Sequence, residues 1–491
     1  MSGPEGVSTP PATPRRTRPR PVRGRATAVI SVLMVVVGIG IVSAAIAVPV
    51  AAPAPGSADG ILVPPADASS SSAFCPSGTG DAANTTVYLT NSTAHPVAGV
   101  MTSVGPTPRH GPVPTAHRQV SVPPLGMAAV NPSAGLPQGS TASSFAFAGG
   151  GVVASQVVSG PLGWSAAPCA SRTSSQWAFS GGSTTTGNTL RLALFNPAAP
   201  AATVNISFLT TTGLVTPQSY QGLVVPPGRL LVENVGQFVQ RASDVATFIT
   251  AQAGGLVASE FQQTSSGRAV GLSLRLGSPQ LSTVWRSAQT TNASGSTVSF
   301  HLANPNTQTV TATISFGLAS GSVTPRRLSI PALSVVDFAA SAAAGLPDQI
   351  PYAVTVDSSA PIVVGRSVLA GRGSPAPVWG SSSATVTVAT RWLVPSPGVE
   401  RVPGTAHADV KSLAVANPGP STARVEVLRV GGGPVATFAV VPGRLVVLGA
   451  KQVGGLSAYW VSSSQPVGVE EDSRPSGAPG VVSTTGFPFT G

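Results

Sequence analysis

Three tryptophans recur in the same company, and this recurrence constrains the fold more than any other feature. Trp177 opens Trp-Ala-Phe-Ser-Gly-Gly and stands 19 residues before Asn196-Pro197; Trp285 stands 19 before Asn304-Pro305, and Trp392 stands 25 before Asn417-Pro418. The period is about 110 residues. Each Asn-Pro follows a short apolar run such as Leu192-Ala193-Leu194-Phe195 and precedes an alternating one such as Val310-Thr311-Ala312-Thr313-Ile314. Period-two alternation predicts a strand with one buried face. A glycine turn follows (Gly213, Gly321, Gly431), then a proline-opened strand at Val225-Pro226, Ile330-Pro331 and Val441-Pro442. Last comes an expected hairpin, turning at Gly254-Gly255, at Ser358 to Pro361 and at Ser463 to Pro466.

A degenerate copy precedes these three, with Phe74-Cys75 at the tryptophan position, Asn91 at the Asn-Pro position, Pro123-Pro124 at the proline strand and Gly149 to Gly151 at the last turn. Four units are therefore expected, at residues 75–170, 171–284, 285–390 and 391–491. About 100 residues with some seven short strands predict an immunoglobulin-like antiparallel β-sandwich, so the fold class is all-β, in tandem repeats. A four-bladed propeller is the lesser alternative, because a blade takes only about 40–50 residues. The tryptophans read as core residues and the Asn-Pro asparagines as turn formers.

From Ala26 to Val50 the chain runs 25 residues without a charge, directly behind Arg15, Arg16, Arg18, Arg20, Arg23 and Arg25. Such a span crosses a bilayer as a single helix, and flanking arginines stay in the cytoplasm. The expectation is a basic cytoplasmic tail at 1–25, a transmembrane signal-anchor at 26–50, and an extracytoplasmic remainder that begins with an Ala/Pro/Ser-rich linker at 51–74. A cleaved signal is the alternative, but its apolar region would be only about 7–15 residues long. Of the net charge of +11, the tail holds +5, leaving the long exterior too dilute in charge for nucleic acid.

The Trp…Asn-Pro…Gly…Val-Pro-Pro-Gly pattern resembles repeats of secreted and surface proteins of actinobacteria and related bacteria. With the single anchor, residues 75 to 485 are similar to an uncharacterised actinobacterial family, a domain of unknown function. The resemblance implies location and fold, and it brings no catalytic residues.

Cys75 and Cys169 bracket the first unit and lie on the oxidising side, which predicts a disulfide between them. Gly-x-Ser-x-Gly, His-Glu-x-x-His, Walker, Cys-x-x-Cys and Ser-x-x-Lys motifs do not occur. The histidines His95, His110, His117, His301 and His407 are scattered, and the closest pair, His110 and His117, reads as a solvated Pro/Gly-rich loop rather than a metal site. Glu470-Glu471-Asp472 reads as a solvated turn rather than a calcium site, since adjacent strand residues face opposite ways. No catalytic residue, cofactor or metal ligand is therefore assigned. The expected function is a non-enzymatic envelope scaffold, spacer or adhesive protein, with cell-wall glycan or another envelope protein as partner. The alternative is an extracytoplasmic hydrolase or glycan-processing enzyme with a loop-built site.

Overall fold

The alternating segments after each Asn-Pro form strands whose apolar positions are buried, as at Val204, Ile206 and Phe208 or Val310, Ala312 and Ile314. A computed structural model describes residues 60–107, 111–266, 269–292, 295–340, 345–371, 377–396, 410–474 and 482–489. The chain divides into residues 1–53 and 54–491. The basic tail, the apolar run Ala26–Val50, residues 51–59, His110 and His407 lie outside the described residues. Within the second part the described regular structure is all-β, in several antiparallel sheets, apart from two three-residue 3-10 helices. Among the described residues no helix is long and apolar enough to cross a membrane.

The first unit comprises β1 (Ser71–Pro76), β2 (Asn84–Asn91), β3 (Val97–Val104), β4 (Thr115–Val122), β5 (Met127–Val130), β6 (Ala142–Phe147), β7 (Val152–Gly160) and β8 (Gly163–Pro168). They form two sheets, ordered β1-β6-β3-β4 and β5-β2-β7-β8. The same two orders recur three more times along the chain. Each pair of sheets faces its own core. In the first, Ala73, Met101 and Phe145 of one sheet meet Val87, Leu89 and Val152 of the other. Trp177, Trp285 and Trp392 sit in the next three cores and are at most 1% exposed. Burial of a side chain that large contributes about 3 kcal/mol, so the recurrence marks the largest single contribution to each core.

Three sequence expectations need correction. The closing pair of strands in each unit is not a hairpin. In the third unit it is one strand, Pro351–Ala370, which pairs through Tyr352–Ser358 with Val310–Leu318 and through Val363–Leu369 with Thr297–Asn304. The chain passes from one sheet to the other at Pro361; Ser457–Arg474 does the same in the fourth unit, and β6 and β7 do so across Gly149 to Gly151. A turn-rich break between two apolar runs looks identical in sequence whether the second run folds back on the first or crosses the core. Second, the linker does not extend to residue 74: Val63 is 1% exposed, and the first unit already begins with β1 at Ser71. Third, the first strands of the last two units begin at Ser282 and Ala389, earlier than the expected 285 and 391.

Four sandwiches could hang as beads, but apolar clusters occur at every junction, including that between the last unit and the first. Val104 and Ala142 pack on Phe195 and Leu230, and Val158 on Phe261 and Leu274. Ala178, Leu209 and Ala246 join the core of the third unit. Ala288 and Ala353 meet Ala414 and Leu445. Val153 and Met127 meet Leu393, Ala458 and Phe487, which closes the circuit. The segment before β1 fastens that closure: Val63 N–H donates to Pro488 O at 2.9 Å, and Pro64 O accepts from Gly151 N–H at 3.0 Å. β8 and the strands in its position in the other three units, Ala269–Leu276, Val378–Ser383 and Val482–Thr485, converge on a cavity of about 90 Å³, lined by residues that include Ala166, Leu276, Ser383 and Thr484.

Candidate functional site: buried polar groups in the units and at their junctions

Each unit contains the same asparagine lock. The Asn196 side-chain amide donates to Pro200 O and Val225 O, both at 3.0 Å, while its Oδ1 accepts from Ala198 N–H at 3.1 Å. Asn91, Asn304 and Asn417 make the equivalent set, to residues two and four positions on and to the carbonyls before the proline turn. All four are at most 1% exposed. The expected turn chemistry is present, but the asparagine also ties its loop to a distant strand end. The tryptophans lock similarly, with Nε1 donating to Leu256 O, Ile362 O and Val467 O at 2.9 to 3.1 Å.

A second position is shared by the units without any linear motif to mark it. Val87, Leu192, Phe300 and Leu413, each four residues before a lock asparagine, pair across the sheet with Gln156, Glu260, Arg366 and Glu471. These four polar residues are at most 3% exposed. Gln156 donates to Pro76 O at 3.1 Å, and Glu260 pairs with Arg275, whose guanidinium also reaches Ser180 O. Arg366 reaches across to the fourth unit, where it pairs with Glu470 at 2.6 Å and lies 3.9 Å from Asp472. Glu470 also accepts from Ser287 Oγ at 3.0 Å and Gln289 N–H at 3.1 Å. The acidic run is therefore a buried strand segment in an inter-unit ion pair, not a solvated turn. Strand alternation turns Glu470 and Asp472 toward Arg366 and Glu471 away. Burial pushes the Glu260 carboxyl up despite Arg275, and pushes Asp472 up to about 6.

The junction of the second and third units brings together a group no linear motif announces. Asp244 Oδ2 lies 2.7 Å from His301 Nδ1, and His301 Nε2 lies 2.8 Å from Ser367 Oγ. Asp337 is 4.0 Å from the same ring, and a Cβ on Gly181 would stand 2.7 Å from it. An Asp-His-Ser chain of hydrogen bonds is the arrangement that activates a serine nucleophile. Two features oppose that use. Burial lowers the affinity of His301 for a proton, but Asp244 and Asp337 outweigh it, so the ring holds its proton above the usual histidine range and is a poor base near neutrality. Ser367 also sits mid-strand between Ser299 and Ser381, where ladder pairing occupies the amides on both sides and leaves none to form an oxyanion hole.

Cys75 and Cys169 form the expected disulfide, with Cα atoms 4.8 Å apart. His95 and His117 are exposed, and His117 lies on β4 against Thr102 Oγ1 at 3.0 Å, not in a loop. Among the described residues no group of three or more His, Cys, Asp or Glu side chains is placed to hold a metal. His301 looked isolated because its partners lie 57 and 66 residues away in sequence; only the polar interruption of a buried strand by His301 signalled it.

A family model described as a family of unknown function, DUF5719, matches residues 138–401. No curated protein matches. Among solved structures, the "Crystal Structure of Thermotoga maritima 1070" is 16% identical, covering 21% of this chain and 93% of that one with a TM-score of 0.20. A "tetra-tandem repeat in extending region of large adhesion protein" is 13% identical, covering 81% and 93%, with a TM-score of 0.11. At those scores neither bears on the argument.

Proposed function

The chain belongs to the DUF5719 family of unknown function, and from that premise we propose that it is a single-pass, membrane-anchored extracytoplasmic protein of tandem immunoglobulin-like sandwiches that acts as a non-enzymatic scaffold or binding platform of the cell envelope. Its partners are cell-wall glycan or another envelope protein, and not nucleic acid. The observation that carries this reading is the use of the buried ionisable groups: Arg366 with Glu470 and Asp244 with His301 pair across unit junctions, and Glu260 pairs with Arg275 inside the second unit. A closed circuit of units favours a rigid platform over an extended spacer. The disulfide favours an oxidising compartment, and the arginines ahead of Ala26 favour a cytoplasmic N-terminus. Protease added to intact spheroplasts tests the topology: it should reach the units and spare the tail, and full protection of the units would overturn it.

The Asp244-His301-Ser367 chain supports a second reading, a serine hydrolase. Fluorophosphonate labelling of the purified protein separates the two. The platform reading expects no labelling at Ser367, and labelling that Ser367→Ala abolishes would establish the hydrolase.

A further inference from the structure

Polar side chains that the fold leaves unused gather at one end of the second unit. An open dish of about 280 Å³ lies between the loop 184–189 and the segment 234–241. Its walls are preorganised. Thr184 N–H donates to Ala242 O at 2.9 Å, and Ala242 N–H donates back to Thr184 Oγ1 at 3.1 Å. Asn188 donates to Thr185 Oγ1 at 2.8 Å and accepts from Thr264 Oγ1 at 2.8 Å. Inside those walls the side chains of Thr186, Thr189, Gln240 and Arg241 make no hydrogen bond or ion pair to the protein. Arg241 is held at φ 55°, a left-handed conformation that costs a non-glycine residue roughly 1 kcal/mol or more and sets the direction in which its side chain leaves the backbone. The nearby acids are committed elsewhere: Glu233 accepts from the Tyr220 hydroxyl at 3.3 Å, and Asp244 faces His301.

We propose that this dish binds an acidic saccharide, one sugar residue whose carboxylate sits on Arg241 and whose hydroxyls meet Thr186, Thr189 and Gln240. This deepens the glycan-binding form of the platform reading and rests on it. A guanidinium is suited to a carboxylate, and hydroxyl and amide side chains both donate and accept, as sugar hydroxyls do. The volume sits at the small end of ligand sites, about 300 Å³, which suits one ring and not an extended chain. No aromatic side chain lines the dish, so the affinity is that of a polar contact, about 1 mM.

Saturation-transfer NMR on the purified full-length protein, with methyl β-D-glucuronide, methyl β-D-glucoside and acetate as probes, tests this. The expected result is saturable binding of the glucuronide, with the glucoside at least about tenfold weaker and acetate weaker still. Arg241→Gly, which suits the backbone conformation, should abolish the preference without lowering the melting temperature. Gln240→Ala should weaken both sugars. Lack of saturable glucuronide binding up to about 20 mM, some twentyfold above the expected dissociation constant, would overturn the proposal. So would glucuronide binding that Arg241→Gly leaves intact, or displacement of the glucuronide by equimolar acetate, which would leave only an anion site. The readout is independent of fluorophosphonate labelling and of membrane topology, so its failure and that of the platform reading are distinguishable.

Discussion

Single side chains do most of the fastening in these sandwiches, and the lock asparagines show how much one amide can hold. Replacing Asn304 with Ala removes donors to Gln308 O, Ile330 O and Pro331 O and the acceptor for Asn306 N–H. Leaving such buried carbonyls unpaired costs about 1–3 kcal/mol each at most, with some relaxation, so a loss of about 2–4 kcal/mol is expected in denaturant unfolding. Arg366→Met leaves Glu470 without its counter-charge at the junction of the third and fourth units. A broken buried pair costs about 3–5 kcal/mol, whereas the double variant Arg366→Met/Glu470→Gln should recover most of it, because a neutral isostere has no uncompensated charge to bury. A double-mutant cycle checks this; equal losses in the single and double variants would show that Arg366 acts by packing alone.

At the scale of strands, the crossing of a continuous strand between sheets is what makes each unit a closed sandwich. Pro351–Ala370 contributes one half to each sheet, so it couples them through its own backbone. The strand Gln176–Gly182 couples units instead, since Ser180 Oγ donates to His301 O at 2.9 Å and Gly181, at φ 87°, lies close against the His301 ring. Gly181→Ala introduces both left-handed strain and a clash at 2.7 Å, with an expected loss of about 2–4 kcal/mol. The same substitution at Gly213, where nothing lies within 4 Å, should cost only the backbone term. Comparing the two midpoints isolates the contribution of the junction, and equal losses would mean that the strand does not press on His301.

Across the whole molecule, the buried charges set an unusual dependence on pH. Folding raises Asp472 from 3.8 to about 6 and raises Glu260 and His301 from their ordinary values. A raised group stabilises the fold fully below its unfolded value, and that contribution is lost as pH rises through the folded value. The melting temperature should therefore rise as pH falls from about 7 toward 5, and Asp472→Asn should flatten the slope between about 4 and 6. A melting temperature that falls over that interval in the parent protein would contradict the burial of these groups. Cys75→Ser/Cys169→Ser releases a loop closed across 94 residues and should cost about 2–4 kcal/mol, read as a shift of the unfolding midpoint.

Strand positions, the disulfide partners and the buried tryptophans were legible in the chain because each depends on local patterning: alternation, turn chemistry, or the spacing of two cysteines. Val204, Ile206 and Phe208 announce a buried face whatever packs against it. The neighbours of that face are another matter. Whether a strand after a turn returns to its own sheet, whether the fourth unit meets the first, and which base finds which acid all depend on contacts between segments remote in sequence. Ser259 bonds Pro76 across 183 residues, Glu470 is held by Ser287 across 183, and Asp244 meets His301 across 57. Such pairings are chosen by the packing of whole sheets, so Glu470-Glu471-Asp472 looks like a solvated turn in the chain and becomes a buried junction only when two sandwiches close upon it.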